Sequence, residues 1–302
     1  MLKVGTLFSG IGSPEEALKK LGVDFEVIFA SDIDKNAKKT YLSNHKCQNF
    51  YEDIKDIPNN VKKIDLLVFG FPCQPFSLAS SNCRGLEDNR GKLFFEACRI
   101  LKNTKPKYFV AENVKNLLKI DEGKTFNIII KELEKCGYKV KYKILNSLDY
   151  GVPQNRERIY IVGIRKDIKK CFSFNKLKKQ KHISLKKILK KVVDKKYYAT
   201  NKFLSKDKVK KRLQNYKKDY IQCLTKTISR NGSSSEYISY VAAVNNAIGE
   251  YRKPTPRECA RLHGFSDDFI LPLDVCMTQQ YNQFANTMTV NVMENILRIL
   301  IR

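Results

Sequence analysis

The chain has 302 residues, 42% of them hydrophobic, which is enough for one large domain plus a smaller one and excludes an intrinsically disordered protein. Its 57 lysines and arginines against 31 aspartates and glutamates leave a formal net charge of +26, a field that suits nucleic acid or an anionic membrane, although lysine-rich composition also arises as plain solvated surface. No apolar run approaches the roughly 18 residues of a membrane span, so a soluble, cytoplasmic protein is expected; nine cysteines without a C-x-x-C pair, and three scattered histidines (His45, His182, His263), predict reduced thiols and no metal site.

In chain order, β-prone runs stand at 2–8 (LKVGTLF), 25–30 (FEVIFA), 65–70 (DLLVFG), 107–112 (KYFVAE) and 158–164 (RIYIVGI). Several are apolar almost throughout, the pattern of buried parallel strands. Segments of period near 3.6 separate them at 14–21, 34–43, 92–102 and 124–136. This alternation implies an open α/β sheet with ligands at the carboxyl ends of its strands. After about residue 166 the rhythm gives way to lysine-dense text, a candidate domain boundary. The stretch 225–239, TKTISRNGSSSEYIS, reads as a loop; order returns at PTPRECARLHGF (254–265), and an amphipathic pattern runs from about 288 to 302. No internal repeat is present.

Gly10 and Gly12 follow the first strand at once, and Ser13, Pro14 and Glu16 fit the N-cap, N1 and N3 positions of a capping box. Such a turn offers its backbone to a nucleotide-like ligand. The third glycine of the dinucleotide fingerprint is missing, so a pyrophosphate is not favoured. Asp32 in ASDID, after the second strand, is placed to accept from ribose hydroxyls, and Asp53 in YEDI follows. Taken singly, each is more often a helix cap or turn former.

GFPCQPFS (70–77) sets Cys73 between two prolines at the end of an apolar run. Pro72 fixes the backbone before it and Gln74-Pro75 forces a non-helical exit, placing the thiol at the carboxyl end of a central strand. A lone cysteine is usually inert, but this position suits chemistry. Glu112 ends the apolar run YFVAE, read as lying at a sheet edge. Arg156 and Arg158 alternate in QNRERIYIVG and are expected to share a strand face.

These blocks resemble the cytosine-C5 DNA methyltransferases. GFPCQPFS is similar to that family's nucleophile motif, LFSGIG (7–12) to its S-adenosylmethionine turn, AENV (111–114) to its glutamate motif, QNRERIYIVG (154–163) to its arginine motif, and PTPRECARLHGF to the block after its target-recognition region. They occur in the family's order and cover nearly all of the chain outside roughly 171–250. The resemblance implies a Rossmann-like S-adenosylmethionine-dependent methyltransferase sheet, a catalytic and cofactor-binding domain of residues 1–170 and 276–302, and a smaller irregular target-recognition domain of 171–275. It implies a cofactor site of Phe8, Ser9, Gly10, Gly12, Asp32, Ile33, Asp53, Ile54, Pro72, Asn286 and Thr287, with S-adenosylhomocysteine as product and no metal.

The chemistry asks for the same residue types. C5 of cytosine is too electron-poor to take a methyl group directly, so a thiolate must first add to C6, and cysteine combines the nucleophilicity with an accessible pKa. Glu112 is expected to bond N3 and the exocyclic amine; one of Arg156 and Arg158 reaches O2 while the other steadies the site. The base must leave the duplex, and SLASSNCRGLEDNRG (77–91) is composed as a closing loop. The expected partner is duplex DNA, with a cognate restriction endonuclease in the cell and a monomeric state as the default. Ala285, Asn286, Thr287 and Met288 replace the family's Gly-Asn-Ser-Val, which matters only if residue 285 needs positive φ. The alternatives are the tRNA-methylating branch, whose Cys-Phe-Thr block meets CLT (223–225) here, and from other classes a silent nucleic-acid-binding relative or a nicotinamide-dependent dehydrogenase.

Overall fold

The structure, a computed structural model, describes residues 1–72, 89–198, 219–229, 241–242 and 251–301. Cys73, the expected closing loop up to residue 88, the lysine-rich stretch 199–218 and residues 230–240 lie outside the described residues. The chain forms two compact units, one of residues 1–145, 157–178 and 292–302, the other of 146–156 and 179–291.

The first unit opens with β1 (Leu2–Leu7), α1 (Ser13–Lys20), β2 (Phe25–Ser31), α2 (Lys35–Asn44), β3 (Asn49–Tyr51), β4 (Leu66–Phe69), α3 (Asn89–Thr104), β5 (Tyr108–Val114), α4 (Lys124–Lys135) and β6 (Tyr138–Asn146). A two-residue β7 (Gln154–Asn155) belongs to the second unit, and β8 (Glu157–Arg165) returns to the first. The sheet order is β3-β2-β1-β4-β5-β8-β6. All five strands expected from the apolar runs form, and four helices occupy the periodic segments between them.

β1 to β5 pair in parallel, with Val68 of β4 between Thr6 of β1 and Val110 of β5. β4 is buried on both faces, which explains its uninterrupted LLVF. Leu67, Phe69, Phe109, Ile159 and Ile161 join Phe94, Ile129 and Leu133 from the helices in one core. Each such buried side chain contributes about 1.5–3 kcal/mol.

Three expectations are corrected. β8 is not parallel: it runs antiparallel to β5, because no crossover helix joins it to its neighbours, and an apolar run reports burial on two faces without encoding direction. β5 is interior, flanked by β4 and β8, so Glu112 does not lie at a sheet edge. The cap of α1 is Gly12 rather than Ser13, since the left-handed conformation of Gly12 (φ 86°) turns the chain one residue earlier and Ser13 is already helical.

The second unit continues with α5 (Leu185–Ile188), β9 (Ile221–Gln222), β10 (Val241–Ala242), β11 (Tyr251–Arg252), α6 (Pro256–Leu262) and α7 (Met277–Asn286). Its strands are two-residue pairs, β7 with β9 and β10 with β11. Polar anchors do much of the fixing. Glu258 closes a capping box with Thr255 and takes both terminal nitrogens of Arg252 at 2.9 Å. A last helix, α8 (Val290–Ile301), begins in this unit and sends Val292, Met293, Ile296, Leu297 and Leu300 into buried positions of the first.

Candidate active site

From β1 the chain of the first unit builds outward to β2 and β3, then starts again on the other side with β4 and β5. That reversal leaves an opening at the carboxyl ends of β1 and β4, where ligands of doubly wound sheets bind. The segments that leave β1, β2, β4 and β5 there carry Phe8–Gly12, Asp32–Ile33, Phe71–Pro72 and Glu112.

Phe8 holds φ 52°, a left-handed conformation that costs a non-glycine residue roughly 1–2 kcal/mol. The turn beyond it is fixed on both sides. Ser9 N–H donates to the Ser31 carbonyl at 2.9 Å, and Gly10 N–H donates to Asp32 Oδ2 at 2.7 Å. A Cβ at Gly10 would meet nothing within 4 Å, whereas one at Gly12 would collide with the His45 imidazole. The turn is therefore braced beneath and open above.

Asp32 also accepts from Asp34 N–H at 2.9 Å, and burial raises its carboxyl above the ordinary range. Each oxygen keeps a lone pair for a ribose hydroxyl. Ile33 beside it is 79% exposed, an apolar side chain left outside the core and suited to a planar base. Asp53 caps the short turn Ile54–Asp56 by accepting from Lys55 N–H at 3.0 Å, and the Ile54 side chain is buried in the core. Open glycine backbone, a carboxylate with spare acceptors and an exposed aliphatic face fit a nucleoside-bearing methyl donor, with Phe8–Gly12 and Asp32–Ile33 as its holders.

On the β5 side, Glu112 lies opposite Tyr160 and Arg158 opposite Val114, so Glu112 and Arg158 are diagonal neighbours on one face. Arg158 Nε stands 3.2 Å from Glu112 Oε1, both side chains largely buried. Asn113 was missed in the sequence: its Nδ2 donates to the Phe71 carbonyl at 3.0 Å and ties the exit of β4 to the end of β5, two residues before Cys73. Only its place in AENV signalled it.

Arg156 and Arg158 do not share a strand. Arg156 falls between β7 and β8, where the chain passes from the second unit to the first, and the break cancels the alternation that a continuous strand would impose. Arg156 is 2% exposed, and its guanidinium donates to the carbonyls of Leu224, Ala285 and Thr287 at 3.4, 3.2 and 2.8 Å and to Cys223 Sγ at 3.3 Å, all in the second unit. Gln154, fully buried, donates to the Leu262 carbonyl at 3.0 Å and accepts from Leu224 N–H at 3.2 Å. Asn286 is exposed at the end of α7, and Thr287 caps that helix. Ala285 lies inside α7 with helical backbone, so no positive φ is asked of it.

Residues 2–302 match the C-5 cytosine-specific DNA methylase family. The chain belongs to that family. It is 35% identical over 313 residues to the Type II methyltransferase M.Bsp6I of Bacillus sp. (strain RFL6), covering 98% of this chain and 97% of the relative. It is 36% identical over 314 residues to the Type II methyltransferase M.NlaX of Neisseria lactamica, covering 98% and 95%. Among solved structures, a DNMT2 variant from Spodoptera frugiperda superposes with a TM-score of 0.80 at 24% identity over 100% of both chains, and S. pombe Dnmt2 with 0.79 at 21% identity over 99% and 98%. The fold is accordingly the Rossmann-like sheet of S-adenosylmethionine-dependent methyltransferases, and this cytosine-C5 methylase uses that methyl donor. No helix among the described residues is long and apolar enough to cross a membrane.

Proposed function

We propose that this cytosine-C5 methylase acts on a cytosine turned out of a short duplex DNA sequence, with Cys73 as nucleophile. The thiolate of Cys73 adds to C6, and the displaced electron pair makes C5 nucleophilic. Bound S-adenosylmethionine supplies the methyl group that C5 takes. Glu112 faces N3 and the exocyclic amine, and Arg158 holds that carboxyl in place and offers its remaining donors to O2. Loss of the C5 proton returns electrons to the ring, and expulsion of the Cys73 thiolate from C6 releases 5-methylcytosine. Arg156 supports this from the second unit by organising the backbone around Leu224, Ala285 and Thr287, beside the cofactor-contact candidates Asn286 and Thr287.

The observation that carries the reading is the pairing of Glu112 with Arg158 on the same strand end that Asn113 fastens to the segment leading into Cys73. Residues 171–275 would select the target sequence, their lysines holding phosphates while residues near 225–239 reach base edges. We place the enzyme in the bacterial cytoplasm as a monomer, in the company of a cognate restriction endonuclease, since curated relatives are named as Type II methyltransferases.

Transfer of labelled methyl to mixed-sequence duplex DNA and, in parallel, to total tRNA, followed by base-resolution mapping, tests this reading. Label confined to cytosines of one short DNA motif is the expected result. Label only in tRNA would overturn the substrate assignment.

A further inference from the structure

The methyl-donor turn rests on a buried chain of hydrogen-bonding groups that the catalytic reading does not use. Glu15, in the first turn of α1, is 0% exposed. Its Oε1 lies 2.6 Å from the Tyr41 hydroxyl and 3.0 Å from Thr6 Oγ1. Thr6 Oγ1 lies 2.8 Å from Ser9 Oγ, which in turn lies 3.2 Å from the Ser31 carbonyl. The chain thus runs from α2 through α1 and β1 into the turn between Phe8 and Gly12, and on to the strand end that precedes Asp32.

Counting protons decides the charge state of Glu15. These four contacts need four protons, and the hydroxyls of Tyr41, Thr6 and Ser9 supply three. With Glu15 ionised, one contact has no proton. With Glu15 protonated on Oε1, every contact is made: Tyr41 donates to Glu15, Glu15 to Thr6, Thr6 to Ser9 and Ser9 to the Ser31 carbonyl. Its other oxygen, Oε2, is buried without a hydrogen-bond partner, a state far costlier for a carboxylate than for a neutral acid. The titratable groups acting on it, Glu16 on its own helix and Tyr41 and Cys47 across from it, are all acids, and burial raises its pKa. His45, under the same turn, is neutral, its pKa pushed down to about 3 by burial and then by Lys19.

We propose that Glu15 is a positioning residue for the methyl donor: as a neutral carboxylic acid it donates into the Thr6–Ser9–Ser31 chain and so sets the backbone of the Phe8–Gly12 turn. This rests on the reading of that turn as the S-adenosylmethionine site. The role differs from that of a surface carboxylate at a helix N-terminus, which would be ionised and would act through its charge.

The test compares Glu15→Gln, which keeps both a donor and an acceptor, with Glu15→Ala and Thr6→Val, which break the chain. Binding of labelled S-adenosylmethionine is measured by equilibrium dialysis, alongside KM for the methyl donor, KM for DNA, and kcat. Glu15→Gln is expected to keep the wild-type Kd within about threefold, while Glu15→Ala and Thr6→Val raise Kd and KM for the methyl donor about ten- to hundredfold with KM for DNA unchanged. The infrared difference spectrum of the wild type against Glu15→Gln at pH 7 should show the carbonyl stretch of a protonated buried acid. Equal loss of binding in Glu15→Gln and Glu15→Ala, wild-type binding in Thr6→Val, or a carboxylate band instead of an acid band would overturn the assignment. Should Glu15→Ala not fold, Thr6→Val and the spectrum still decide it. Failure of the wild type itself to bind S-adenosylmethionine would sink the reading of the turn and not the proton count.

Discussion

Arg252→Met in the second unit should unfold that unit at markedly lower denaturant. Glu258 is fully buried, and its two oxygens take four donors: both terminal nitrogens of Arg252 at 2.9 Å, and the amides of Thr255 and Lys190 at 2.6 Å each. Burial alone would push this carboxyl up, but Arg252 and the two amides outweigh it and hold it below its usual value. Removing Arg252 leaves a buried negative charge on two amides, which costs about 3–5 kcal/mol. At roughly 2–4 °C per kcal/mol for a chain of this size, Tm should fall by about 6–20 °C. Adding Glu258→Gln to Arg252→Met removes the stranded charge, keeps an acceptor for Thr255 N–H, and should recover about 1–2 kcal/mol. Urea unfolding, with amide exchange followed on peptides containing Lys190 and Thr255, places the loss in the second unit. A cost under about 1 kcal/mol for Arg252→Met, or strict additivity in the double variant, would refute the argument. The pH dependence has a definite sign. With a folded pKa below the unfolded one, the stability contributed by Glu258 is present above the ordinary carboxylate range and lost as pH falls through its folded pKa.

Other outcomes follow from the site. Cys73→Ala should abolish methyl transfer while the Kd for S-adenosylmethionine stays at the wild-type value; turnover in that variant would remove Cys73 from the nucleophile role. Arg158→Ala should lower kcat about a hundredfold or more by freeing Glu112, with Arg158→Lys recovering part of it, and unchanged single-turnover rates would show that the ion pair is idle. Because the folded pKa of His45, about 3, lies below the unfolded 6.5, the unfolded chain binds more protons between those values. Stability should therefore fall as pH drops below about 6.5, by up to about 1.4 kcal/mol per pH unit, and His45→Asn should flatten that slope. Binding to non-target duplex should weaken steeply between low and moderate salt, as counterion release requires; a flat titration would count against phosphate contacts.

The apolar runs and periodic segments revealed five strands and four helices because each is buried on one or two faces. β3 escaped notice because three residues, NFY, carry no periodicity, and β6 because its lysines at 139, 141 and 143 decorate an edge strand and look like surface text. The direction of β8 and the separation of Arg156 from Arg158 were illegible for a related reason: local pattern records which faces are covered, while direction and continuity are set by where the chain goes next. The glycine turn, Asp32 and Glu112 were legible as types at strand ends. Thr255 and Glu258 carry the spacing of a capping box, but their partner Arg252 is recognisable only once folded. Glu15 reads as an ordinary first-turn acid until Tyr41, 26 residues on, closes over it.

The first unit is assembled from three stretches, and the last of them is made after nearly all of the second unit. Val292, Met293, Ile296, Leu297 and Leu300 of α8 are fully buried, so the apolar surface they cover must wait, during synthesis, for the residues after 178 to be translated. At roughly 5–20 residues per second that wait is on the order of ten seconds, during which the nascent first unit holds an uncovered core face. A ribosome stalled between about 180 and 290 would therefore carry an aggregation-prone, chaperone-binding intermediate, and methylation competence would arise only on release of the complete chain, not progressively with its length.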